Sequence, residues 1–108
     1  MSVALMIEAT ENNEVLDFTP VATQESFVRF WLPMCKELGL QLIPLSESGL
    51  LVTGETVDDV ASELDLLKNA VEQLAGLSQY GNMAERIRAI RDKILATKGN
   101  NKVKVWLG

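Results

Sequence analysis

Cys35 is the only cysteine in this chain of 108 residues, and histidine is absent. A thiol attacks as its thiolate, and a neighbouring histidine is the usual base that produces one. Without histidine, Cys-His and Ser-His-Asp activation are excluded, and so are the common zinc sites. Cys35 also stands beside Met34 and one helical turn from Trp31, which marks it for the interior as an inert thiol. The pattern therefore predicts no catalytic residue, no cofactor and no metal.

Carboxylates offer a second kind of chemistry. Glu55, Asp58, Asp59 and Glu63 lie close in sequence, and Asp59 and Glu63, four apart, share one helix face. Such oxygens suit Mg²⁺ or Ca²⁺. However, acids in the first turn of a helix are favoured by its dipole alone, and no EF-hand spacing is present. Tyr80 could donate a hydrogen bond to a ligand or pack over a helix corner. There is no GxGxxG and no P-loop pattern. An enzyme working through carboxylates or a divalent metal remains an alternative reading.

Charge is divided along the chain. Residues 1–83 carry three basic and thirteen acidic side chains, and residues 84–108 carry seven basic and two acidic. The basic group comprises Arg86, Arg88, Arg91, Lys93, Lys98, Lys102 and Lys104. Lys102, Lys104 and Trp106 alternate with Val103, Val105 and Leu107 and should share one strand face. Charge mixed with an aromatic suits single-stranded nucleic acid, so weak nucleic-acid binding through this segment is a second alternative. Against it, Arg86, Arg88 and Arg91 scatter around their helix, and the net charge is −5.

These residues must be positioned by local elements. Val3–Ile7 is apolar throughout and reads as a central strand. It has neither the basic flank nor the cleavage site of a signal peptide. Glu11–Glu14 is a turn, and Val15–Phe18 a second strand, with Leu16 and Phe18 alternating about Asp17. Thr23 caps a helix whose stripe is Phe27, Phe30 or Trp31, Met34 and Leu38, and Gly39 ends it. Pro33 either kinks that helix or divides it. Leu40–Leu45 and Leu50–Thr53 read as a hairpin around Ser46–Gly49. Thr56 caps a helix with Val57, Val60, Leu64, Leu67, Val71 and Leu74 on one face, and Gly76 stops it. The loop 78–82 and Asn82 precede a third helix with Ile87, Ile90 and Ile94 inward. Lys102–Leu107 is the last strand.

The order β-β-α-β-β-α-α-β predicts one α+β domain over residues 1–108. Its sheet should be mostly antiparallel, with about five short strands and three helices on one face. The acidic outer face of the second helix and the basic third helix could complement each other. No apolar run reaches the ~20 residues of a membrane span, and a lone thiol suits the cytoplasm. The strings Phe30-Trp31-Leu32-Pro33 and Gly49-Leu50-Leu51-Val52 have the look of a compact bacterial protein but bring no functional residue with them. The leading expectation is a non-catalytic protein that acts by contact with another protein or with its own copies, in the manner of an accessory or immunity protein. The candidate contact residues are Phe30, Trp31, Trp106, Lys102, Lys104, Asp58, Glu63 and Asp65.

Overall fold

The computed structural model describes residues 2–74, 80 and 82–108. Strands β1 (Ser2–Ala9) and β2 (Val15–Thr23) form an antiparallel hairpin. Its turn is closed by Asn13, a non-glycine residue with φ 58°, a conformation that asparagine tolerates better than most side chains. β3 (Leu50–Val52) and β4 (Val103–Leu107) complete a sheet of order β2-β1-β4-β3, antiparallel at every pair. The strand that holds the apolar run Val3–Ile7, β1, is an interior strand, as that run predicts.

Helices α3 (Val57–Glu72) and α4 (Met83–Ala96) cover one face of the sheet. Alternate residues Val3, Leu5 and Ile7 of β1 and Val105 and Leu107 of β4 meet Val60, Leu64, Leu67 and Val71 of α3 and Ile87, Ile90 and Ile94 of α4 in one core. A fully buried aliphatic side chain of this kind contributes about 1.5–3 kcal/mol. The architecture is α+β. No helix among the described residues is long and apolar enough to cross a membrane.

The first helical segment runs from α1 (Gln24–Ser26) through a π turn (Phe27–Trp31) into α2 (Leu32–Leu38). Thr23 caps it as expected, its hydroxyl accepting the Ser26 N–H at 3.0 Å. At Leu32-Pro33 the π turn gives way to α2, so the segment changes helix type where the proline was expected to interrupt it. The N–H of Leu32 bonds the carbonyl of Phe27, and this wider turn accommodates the proline ring and its missing donor. Gly39 ends the segment in the left-handed region, with Leu40 N–H on Cys35 O and Gly39 N–H on Lys36 O, the Schellman arrangement.

Among the described residues the sheet has four strands, not five. Leu40–Leu45 does not form a strand; Ile43–Glu47 is a 3-10 helix instead. Pro44 sits at its start, where the missing N–H costs nothing. The Ser46 hydroxyl bonds the Ile43 carbonyl, and the carboxylate of Glu63 receives the N–H groups of Leu42 and Ile43. Thr56 and Asn82 precede α3 and α4 without a side-chain cap. The Thr56 hydroxyl accepts the Thr53 N–H instead. The expected stop at Gly76 and the loop 78–82, apart from Tyr80 and Asn82, lie outside the described residues.

Candidate interaction surface

Among the described residues no helix covers the second face of the sheet. Even-numbered residues of β1 and β4 point there, because odd-numbered ones fill the core. Met6 stands opposite Phe18 of β2 on one side and Trp106 of β4 on the other, and Trp106 stands opposite Leu51 of β3. One apolar row, Phe18–Met6–Trp106–Leu51, thus crosses the whole sheet. Phe18 is 60% exposed, Leu51 44% and Trp106 38%. Leu16, which the β1–β2 register skips between Asp17 and Val15, is also exposed. Scattered exposed apolar residues are ordinary, whereas here large ones are contiguous.

Neighbouring residues shape this surface. The Trp106 ring lies over the backbone of Gly49, where an added Cβ would come 3.8 Å from Cζ3. Gly49 has φ +115°, which also disfavours a side chain there. Glu8 and Lys104 face each other across β1 and β4 and place one charge of each sign beside the apolar row. The Lys104 ammonium donates to Asn13 Oδ1 at 2.6 Å.

The residues singled out by sequence divide between this surface and internal work. Trp106 and Lys104 lie on the open face, and Lys102 is exposed just before β4. Trp31, expected as one of two possible anchors, is instead 3% exposed and stacked on Phe27 with ring centroids 5.6 Å apart. The π turn places both rings inward. Phe30 is half-buried, edge-on to Tyr80 at 5.7 Å. Asp58 pairs with Lys98 at 2.9 Å, and Asp65 lies 2.6 Å from Arg91 Nε. The latter is a contact of charges on α3 and α4, the complementarity anticipated between those helices. Glu63 is occupied by backbone N–H groups.

The basic C-terminal quarter is similarly engaged. Arg86 donates to the Val21 carbonyl, and Lys93 reaches Asp17 and Thr19. Among the described residues neither Lys102 nor Lys104 forms an ion pair with a carboxylate.

Cys35 is fully buried, and burial, with a smaller push from Glu63, raises its thiol to about 12. Asp59 and Glu63 line one shallow depression beside Leu38–Leu42. No group of three or more potential metal ligands occurs among the described residues.

Sequence patterning could not find Phe18, Met6 and Leu51, because the row exists only once strand order and register are set. No protein-family model, curated protein or solved structure matches the chain.

Proposed function

We propose that this chain acts by protein–protein contact rather than catalysis, and that its working surface is the open sheet face around Phe18, Met6, Trp106 and Leu51. The observation that carries the reading is the uninterrupted apolar row across all four strands. The thiol is buried, and of the candidate carboxylates Asp58 is held in an ion pair and Glu63 by backbone N–H groups. A single buried thiol also suits the reducing cytoplasm.

The occupant of this face is a second copy of the chain. The molecule as a whole carries −5, which opposes unguided association of identical copies. The face itself is balanced, with Glu8 beside Lys104. A two-fold contact brings the same patch together from both copies, and there Glu8 of each can meet Lys104 of the other. Four strands ~4.8 Å apart and up to about eight residues long give a face of roughly 450 Å². That is about half of the ~800 Å² per partner in a standard interface, so the association is weak and reversible.

The basic group supports this reading over a phosphate platform, since Arg86, Arg91, Lys93 and Lys98 are held by acceptors within the fold. Methyl NMR of the whole chain across a concentration series tests the proposal. The Met6 and Leu51 methyl signals should move together as concentration rises, while those of Ile87 and Leu64 stay fixed. Signals that do not move anywhere in the series would remove the second copy as occupant.

A further inference from the structure

A notch in the edge of the sheet is a separate feature. In the β1–β4 ladder Ala4 exchanges both hydrogen bonds with Gly108, and Thr10 N–H bonds Lys102 O. The even-numbered residues of β4 therefore turn their peptide groups toward β1, and the odd-numbered ones turn theirs toward β3. β3 pairs with Leu107 through Val105 and ends at Val52. The turn that follows, Thr53–Thr56, leaves the sheet and makes no hydrogen bond to Val103. Among the described residues the N–H and carbonyl of Val103 are thus a ladder position with no strand beside it.

A cavity of about 360 Å³ lies beside Val103, between residues 51–54, Val57 and the segment 97–101 that leads into β4. Its walls come from both layers: Leu51 and Lys104 from the open side, and Val52, Val57, Val103 and Val105 from the core side. The volume lies in the range of natural ligand sites. Gly54 borders it with open space, since an added Cβ there would meet nothing within 4 Å. The rim carries Lys98 and Lys104, with Lys102 next to it in sequence. Lys98 is paired with Asp58, whereas Lys102 and Lys104 have no carboxylate partner among the described residues.

We infer that this notch binds an extended acidic peptide segment as an added strand. The peptide backbone pairs with the N–H and carbonyl of Val103, one apolar side chain enters the cavity over Val57, and a flanking carboxylate meets Lys102 or Lys104. Strand addition draws affinity from main-chain bonds and specificity from a pocket for alternate side chains, and the notch supplies both. The site uses the edge of β4 and shares Leu51 and Lys104 with the open face, so the Val103 amide, which belongs to the edge alone, is the reporter that separates the two.

The test is a ¹H–¹⁵N NMR titration of the whole chain with the blocked peptide acetyl-Glu-Val-Glu-Val-Glu-amide. The Val103 amide should shift downfield, and its hydrogen exchange should slow by about tenfold or more at saturation. The counterpart with lysine in place of each glutamate should bind about tenfold more weakly, because the facing charges are then alike. Gly54→Leu fills the open space without backbone strain and should abolish the Val103 shift while leaving the remaining spectrum intact. A Val103 amide unmoved by millimolar acidic peptide overturns the inference. So does equal binding of the two peptides, or undiminished binding by a folded Gly54→Leu variant.

Discussion

Glu63 holds the backbone of Ile43, twenty residues earlier in the chain, through a 2.9 Å hydrogen bond from the Ile43 N–H to its Oε1. The same carboxylate receives the Leu42 N–H at 3.0 Å. Those donors begin the 3-10 helix Ile43–Glu47 and have no partner within it. One side chain of α3 therefore fixes a segment that would otherwise be free to extend.

Replacing Glu63 with alanine should strand those donors. The expected loss is about 1–3 kcal/mol in the free energy of unfolding, the range for unpaired buried polar groups. Glu63→Gln keeps one acceptor oxygen and should lose less. Urea denaturation of the three proteins measures both effects. Equal stability of Glu63→Ala and the parent chain would show that the contact contributes nothing.

Acid should weaken the fold through Asp17. Its carboxylate lies 3.0 Å from the Lys93 ammonium and accepts the Thr19 hydroxyl at 3.0 Å. The hydrogen bond from Lys93, then that from Thr19, hold its pKa below the ordinary value of 3.8 against the opposing effect of burial. A carboxylate depressed in the folded state stabilises it above the unfolded pKa, and that stability is lost as pH falls through the folded value. Urea midpoints measured from pH 5 to pH 2 should fall less steeply for Asp17→Asn than for the parent chain. Parallel curves would contradict this assignment.

The Cys35 thiol should be inert. It is fully buried, with its pKa pushed up to about 12 by burial first and by Glu63 second. At pH 8 an aromatic disulfide reagent should label the folded protein at least about a hundredfold more slowly than the urea-unfolded one, since labelling requires opening. Similar rates in the two states would place the thiol at the surface and reopen nucleophilic chemistry.

The sequence was most legible where structure is local. The Thr23 cap, the Gly39 stop, the apolar stripe of α3 and the central place of β1 each follow from a few adjacent residues. Leu40–Leu45 misled because its apolar composition suits a strand, while the deciding partner, Glu63, lies twenty residues away. Pro33 signalled a break, but not that a π turn would resolve it and turn Trp31 inward. Alternation named two faces of each strand without saying which would be covered. Trp106 and Lys104 were therefore readable as a pair, while Phe18, Met6 and Leu51 joined them only through register.

Phe18 is the residue through which the account of function stands or falls, being the most exposed large side chain on the open face. Phe18→Ser should change stability by no more than about 1 kcal/mol, because an exposed strand position carries little beyond its β propensity.

Sedimentation equilibrium of the whole chain and of Phe18→Ser, from 10 µM to 1 mM, is the most direct measurement. The parent chain should pass from monomer toward dimer within this range, as a weak, reversible interface of small area would. The Phe18→Ser variant should stay monomeric to the highest concentration. A parent chain that remains monomeric throughout, or a variant that dimerises as readily as the parent, would contradict the assignment of the open sheet face as the surface on which this protein meets its own copy.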